Sequence, residues 1–130
     1  MSFLKPYSPF FLSVLRIASG LIFLQHGTTK YLSIPETRMS GVDPMTMGGA
    51  AGIIELVCGA LLVIGLFTRP AAFLASGTMA FAYFLVHFPQ NNIYPILNGG
   101  ELAIMYCFAF LYIAAAGPGP ISIDRILRRG

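Results

Sequence analysis

Six ionisable side chains stand within or at the ends of otherwise apolar stretches of the sequence: Arg16, His26, Lys30, Glu55, His87 and Glu101. Ionisable groups inside a membrane-length apolar segment typically mark ligand sites or proton paths. Histidine changes its charge near neutral pH, and carboxylates can accept and return protons. The combination indicates a site inside a membrane that binds a ligand or exchanges protons with it.

The composition indicates that transmembrane helices position these residues. The chain is 56% hydrophobic and 10% charged, with a mean hydropathy of +0.75, whereas soluble domains carry about 25% charged residues. Apolar runs cover residues 9–28, 47–67, 70–87 and 98–116, and each is near the roughly 20 residues that cross a bilayer as a helix. Helices satisfy their backbone hydrogen bonds internally, as lipid requires. We therefore predict an all-α integral membrane four-helix bundle, with residues 1–130 as a single domain.

The basic residues are arranged as topology signals. The formal charge is +3 and the pI is about 9.1, but the bases form no patch with interleaved aromatics, so we expect no nucleic-acid partner. They concentrate at the two termini and between the second and third helices: Lys5, Arg69, Arg125, Arg128 and Arg129. The positive-inside rule then places both termini in the cytoplasm and the first and third loops outside. Loop 1, about residues 29–46, is the expected cap over the outer face.

Helical periodicity places the polar residues on faces shared with small or aromatic residues. These faces are Arg16, Gly20, Phe23, Gly27 and Lys30; Gly48, Gly52, Glu55 and Gly59; Ala80, Phe84 and His87; and Asn98, Glu101, Met105, Phe108 and Tyr112. The spacing of three and four residues is that of one helix face, and Gly48 with Gly52 forms a G-x-x-x-G pair that permits close helix contact. We expect the four faces to line one interior.

Depth under the predicted topology groups most polar residues in the outer half of the membrane. Glu55 lies about 12 Å below the start of its helix, at 1.5 Å per residue. We expect it to pair with Arg16 near mid-membrane, since each unpaired charge would cost at least about 2.5 kcal/mol. The alternatives are structural: an ion pair that fixes helix register, helix-end residues His26, His87 and Glu101 wetted at the interface, and a Lys30 side chain that extends to the headgroups.

Two other chemistries fit part of the pattern. His26 and His87 come from different helices at similar depth, which would suit the axial ligation of a haem iron. No haem-attachment motif or zinc-type cysteine cluster is present, so we predict no other metal site. Cys58 and Cys107 have comparable depth, but Cys107 lies about 240° around its helix from Glu101. We predict buried, unreactive thiols, with a redox pair as the alternative.

Long segments of the chain resemble the DoxX family of small four-helix membrane proteins. They are "LRIASGLIFLQHGTTKYL" (15–32), "GGAAGIIELVCGALLVIGLFTRPAA" (48–72) and the segment 80–124. The polar pattern of the family falls on Arg16, His26, Gly27, Lys30, Glu55, His87, Asn98, Gly99, Gly100 and Glu101. The resemblance implies a multi-pass protein of the bacterial inner membrane. It also implies a redox role, because members are associated with quinone-linked thiosulfate oxidation and with thiol and superoxide defence.

We predict a component of an inner-membrane redox system that binds a quinone or a similar small apolar ligand in an outer-half cavity. Proton exchange with the ligand is predicted for His26, His87 and Glu101. The predicted ligand-binding residues are Arg16, Lys30, Glu55 and Asn98. A quinone-linked oxidoreductase subunit would take electrons from a partner protein or a thiol, because no flavin or nicotinamide motif is present.

Three alternatives remain open from the sequence. One is a non-enzymatic scaffold that docks a partner through loop 1. Membrane lipid surrounds the protein in this hypothesis as in the other three. The second is the haem protein with two histidine ligands. The third is a small-solute transporter, which four short helices could form only as a homo-oligomer.

Overall fold

The computed structural model describes residues 1–88 and 93–128, and these form helices and connecting turns without a strand. A 3-10 helix, Ser2–Tyr7, leads into α1 (Ser8–Leu32), followed by α2 (Met47–Ile64), α3 (Thr68–Ala82) with a π-helical turn (Tyr83–His87), α4 (Pro95–Asn98), α5 (Glu101–Ala116) and α6 (Ile123–Ile126). Within the described residues, three helical segments are long and apolar enough to cross a membrane, namely Ser2–Leu32, Met47–Ile64 and Thr68–His87, and α5 is a shorter apolar helix. The predicted all-α membrane bundle is therefore confirmed.

Helix ends differ from the predicted bounds where the local sequence allows another capping structure. α1 continues to Leu32, because Ser33 adopts the left-handed conformation with φ 55° and ends the helix there. α2 begins after Thr46, whose hydroxyl accepts a hydrogen bond from Gly49 N at 3.0 Å, as an N-cap residue should. The predicted fourth helix starts later than residue 98, since Gly99 with φ 76° separates α4 from α5.

Glycines bring α1 and α2 into close antiparallel contact. A Cβ on Gly20 would lie 3.0 Å from Leu62 Cβ, and one on Gly59 would lie 2.8 Å from Leu24 Cα. At Gly27 the corresponding distance is 2.8 Å to the Leu56 backbone nitrogen. These contacts fix which residues of the two helices stand at the same depth.

Two helix pairs form the bundle: α1 packs along α2, and α3 packs along α5. α2 and α3 join the pairs, while α1 and α5 touch over a smaller area. The core between them contains the buried residues Phe23, Cys58, Leu62, Ala71, Ala72, Ala75, Met79, Tyr106, Phe110 and Ile113. Two rings of this core, Phe23 on α1 and Phe110 on α5, lie 5.0 Å apart between centroids. They connect α1 and α5 across their small contact.

The predicted interior faces are right for α1 and wrong for α5. All five residues of the predicted α1 stripe are buried, and in α2 only Gly48 of the predicted face is exposed. In α5, however, Glu101, Met105, Phe108 and Tyr112 are exposed, and the buried face carries Ala103, Tyr106, Phe110 and Ile113. Because α5 is apolar on every side, its packing against α3 decides which face is buried. Phe84, predicted to be interior, is also 63% exposed.

Loop 1 folds back over the ends of α1 and α2. The backbone amide of Gly41 donates to Lys30 O at 2.9 Å, and the Tyr31 hydroxyl donates to Gly49 O. The Thr29 hydroxyl contacts Thr37 in the loop at 2.7 Å. The expected cap at this end of the bundle is therefore present, and it covers the end at which Lys30 lies.

Candidate functional site

A buried ion pair joins α1 and α2. Lys30 Nζ donates to Glu55 Oε1 at 2.7 Å, and the two side chains are only 10% and 4% exposed. The position depends on the extra length of α1, which places Lys30 in its last turn. Gly52 makes room for the lysine stem, since a Cβ there would lie 3.0 Å from Lys30 Cδ. Glu55 is thus compensated by Lys30, a residue predicted only as a further ligand contact or a headgroup contact.

The predicted Arg16–Glu55 pair is wrong. Arg16 is 1% exposed, and its guanidinium donates to Leu62 O at 2.8 Å, to Ile121 O at 2.6 Å and to Pro118 O. The helix register explains the difference. The α2 residue at the same depth as Arg16 is Leu62, which lies about 10 Å along the helix from Glu55 at 1.5 Å per residue. Carbonyls at a helix C-terminus lack intrahelical partners and attract a cation.

Asp124 is a buried residue that the sequence interpretation missed. Its carboxylate accepts hydrogen bonds from Phe67 N and Thr68 N, both at 2.9 Å, at the start of α3. Arg16 and Asp124 together hold the C-terminal segment, residues 117–128, against the ends of α2 and α3. The available sequence signal was a lone acidic residue within the basic C-terminal stretch.

An aromatic cluster lies next to the predicted outer-half residues. The Tyr106 ring stacks on Phe110 at 5.4 Å between centroids and meets Phe23 edge-on at 5.6 Å. The His26 ring is partly buried and packs edge-on against Tyr106 at 6.1 Å. Tyr106 is 5% exposed, and within the described part of the chain its hydroxyl finds no hydrogen-bond partner. A polar atom buried without a partner is unusual and calls for an explanation.

The ion pair and the aromatic cluster are joined through α1. His26 precedes Lys30 by four residues in this helix, and residues at that spacing are neighbours on the helix surface. The His26 ring contacts Tyr106, and Lys30 contacts Glu55. We call His26, Lys30, Glu55 and Tyr106 the α1–α2–α5 site. His26, Lys30 and Glu55 are among the residues predicted from the sequence. Tyr106 was missed, because a tyrosine within an apolar helix gives no signal that its hydroxyl lacks a partner.

The other predicted residues form a separate group at the ends of α3 and α5. Asn98 is buried, donates to the Tyr83 hydroxyl at 3.4 Å and accepts from Gly100 N at 2.9 Å. His87 is partly buried and lies beside Gly99. Glu101 is exposed in the first turn of α5, where the helix dipole favours a negative charge. Among the described residues, no hydrogen bond, ion pair or ring contact joins His26 to His87 or Glu101.

The two thiols belong to the apolar core, with Cys58 in the buried cluster and Cys107 packed against it. Cys58 is buried and Cys107 is partly buried, and both are free cysteines. The Ser76 hydroxyl donates to Cys107 O at 2.7 Å and lies 3.5 Å from Cys107 Sγ. Over residues 1–88 and 93–128, no group of three His, Cys, Asp or Glu side chains could hold a metal ion.

Apolar helices that bury a Lys–Glu pair and an arginine between them define a helical integral membrane protein. The chain belongs to the DoxX family, whose sequence model matches residues 11–88. An uncharacterized protein of Haemophilus influenzae is 45% identical over 130 residues, covering 95% of this chain and 96% of its own length. The inner membrane protein YphA of Escherichia coli is 30% identical over 126 residues, with 90% of each chain covered.

A more distant relative is an uncharacterized membrane protein of Mycobacterium tuberculosis, 23% identical over 130 residues, covering 88% of this chain and 80% of its own length. No solved structure matches the chain. The family, the inner-membrane relative and the apolar helices establish a multi-pass protein of the bacterial inner membrane. The predictions of family and location are therefore confirmed, and the cytoplasmic placement of the termini stays a prediction.

Proposed function

We propose that this protein binds a quinone, or a similarly flat and apolar carbonyl compound, at the α1–α2–α5 site as part of an inner-membrane redox system. The observation that carries the proposal is the buried Tyr106 hydroxyl, which has no acceptor among the described residues. Leaving a buried donor unsatisfied costs about 1–3 kcal/mol. A carbonyl oxygen of the bound ligand would accept its hydrogen bond and remove that cost.

The surroundings of Tyr106 suit a flat ring. Phe23 and Phe110 lie within 5.6 Å of the Tyr106 ring, measured between centroids, and aromatic rings favour edge-on and offset-stacked neighbours. His26 is the partly exposed member of this group. We therefore place the entry of the ligand at the His26 ring, which moves aside to admit a molecule arriving from the bilayer.

The ion pair supports a role in proton transfer. When bound, a quinone supplies redox chemistry that takes up two electrons and two protons. In this proposal Tyr106 and His26 donate hydrogen bonds to the two carbonyl oxygens. Lys30 and Glu55 hold and return protons next to these donors, in a position that loop 1 covers. Electrons come from a partner protein or a small thiol.

The remaining predicted residues take different roles in the proposal. Arg16 has its guanidinium donors on three backbone carbonyls, so it holds the C-terminal segment and takes no part in ligand binding. His87 and Glu101 exchange protons between the outer face and the site, while Asn98, bonded to Tyr83 and Gly100 N, holds the ends of α3 and α5 together. The proton exchange requires transfer from the end of α3 to His26.

Isothermal titration of the full-length protein in detergent with a short-chain ubiquinone tests the proposal. Tyr106→Phe keeps the ring and removes the hydroxyl whose cost of about 1–3 kcal/mol the ligand would relieve, so we expect roughly 5- to 150-fold weaker binding. His26→Ala should weaken binding further, because it removes a donor and a ring contact. Tyr112→Phe is the matched control, since Tyr112 belongs to the same helix and is itself 60% exposed.

The outcomes separate the proposal from its alternatives. Equal affinity for wild type and Tyr106→Phe would show that the ligand does not use this hydroxyl. Absence of binding in the wild type would favour the scaffold alternative. His87→Ala is included as a further variant, and it should leave the equilibrium affinity unchanged if His87 only conducts protons.

A further inference from the structure

A groove runs between α1 and α5 at the opposite end of the molecule from the α1–α2–α5 site. It consists of two hollows of about 550 and 560 Å³, which share Ser8, Leu12 and Tyr112 in their walls. Each volume lies in the range of about 300–1,000 Å³ that is usual for small-molecule sites. The groove has residues of α1 in its walls and, from α5, Tyr112 and Ala116, and these two helices touch over a small area. It is therefore a concave, largely apolar surface at the level of one membrane interface.

Each hollow has one basic residue in its wall. Arg125 lines the first hollow and Lys5 the second, and among the described residues neither side chain takes part in an ion pair. Asp124 is the acidic residue at this end, and its oxygens accept hydrogen bonds from the α3 backbone. Over residues 1–88 and 93–128, the groove thus presents two positive charges without an ion-pair partner.

The C-terminal segment places Arg125 at the groove. Ser122 Oγ accepts from Arg125 N at 3.1 Å, and Asp124 N donates to Gly65 O at 2.8 Å. The Arg16 guanidinium holds the carbonyls of Pro118 and Ile121 in the same segment. Arg125 therefore lies in a segment whose backbone position is fixed by hydrogen bonds.

We propose that the α1–α5 groove binds an anionic phospholipid of the membrane. The phosphate lies between Lys5 and Arg125, and an acyl chain runs along Leu12, Leu15 and the Tyr112 ring. Charge complementarity selects this occupant, because a quinone or a neutral lipid would leave both cations uncompensated. The positive-inside rule predicts that this end lies in the cytoplasm, and basic pockets between helices on the cytoplasmic side bind anionic headgroups.

Native mass spectrometry of the full-length protein in detergent tests the proposal with phosphatidylglycerol and phosphatidylethanolamine as probes. We expect the wild type to retain phosphatidylglycerol in preference to phosphatidylethanolamine. One basic residue near an anionic surface contributes about a factor of five in affinity. The double variant Lys5→Gln/Arg125→Gln should therefore retain phosphatidylglycerol roughly thirtyfold less, and each single variant should lose part of that affinity.

The double variant Arg38→Gln/Arg128→Gln is the matched control, because it removes the same net charge from exposed positions outside both hollows. It should bind phosphatidylglycerol as the wild type does. The proposal is overturned if this control loses the lipid equally, or if Lys5→Gln/Arg125→Gln retains it fully. Equal retention of the two lipids by the wild type would also overturn it, because the groove would then be a general apolar surface.

Discussion

Replacing Tyr106 with phenylalanine should stabilise the protein while weakening its ligand binding. The hydroxyl is buried without a partner in the described chain, and removing it relieves a cost of about 1–3 kcal/mol. The ring contacts with Phe23 and Phe110, at 5.6 and 5.4 Å, stay in place. We therefore expect the free energy of unfolding to rise by about 1–3 kcal/mol in the ligand-free protein.

The assay is unfolding of the purified protein in mixed micelles with sodium dodecyl sulfate, followed by circular dichroism. We compare wild type, Tyr106→Phe and Tyr112→Phe in two states. In one state the protein has been stripped of bound lipid and quinone, and in the other it is saturated with a short-chain ubiquinone. The quinone should stabilise wild type and Tyr112→Phe more than Tyr106→Phe. The reasoning is refuted if Tyr106→Phe destabilises the ligand-free protein, since its hydroxyl would then have a partner already.

Three further changes test the packing by the same unfolding measurement. Lys30→Met should cost about 3–5 kcal/mol by leaving Glu55 buried and unpaired, and Lys30→Met/Glu55→Gln should recover most of it; additive losses would contradict this coupling. Gly27→Ala should cost about 1–3 kcal/mol by forcing α1 from α2, whereas Gly77→Ala, with open space around it, should be neutral or stabilising. Asp124→Ala should cost at least about 1 kcal/mol of stability as a lost helix cap. Asp124→Asn keeps a side-chain oxygen that can accept, so it should cost less. A smaller loss for Asp124→Ala than for Asp124→Asn would argue against the cap.

Residue type and spacing were sufficient to predict the interior of α1. Gly20 and Gly27 permit close contact with α2, and polar residues in the same stripe could not face lipid without cost. The same reasoning failed for α5, where the polar Glu101 lies at the helix end and can be exposed. Every other face of α5 is apolar, so lipid and protein interior are equally suitable surroundings for it.

The partners of the buried charges could not be obtained from helix periodicity alone. Pairing Arg16 with Glu55 required the axial register of two helices, which the contacts of Gly20, Gly27 and Gly59 determine to within a turn. It also required the C-terminal segment, whose backbone carbonyls take the place of a carboxylate at Arg16. A charge in a membrane protein can be compensated by such carbonyls, and sequence patterns do not display them.

The most direct test of the central proposal is to purify the protein from membranes, extract its lipids and record its optical spectrum, with His26→Ala/Tyr106→Phe for comparison. We expect a quinone in near-stoichiometric amount in the wild type and its loss from the double variant. Equal quinone in both, or none in the wild type, would contradict binding at the α1–α2–α5 site. A Soret band that disappears in His26→Ala/His87→Ala would instead support the haem alternative.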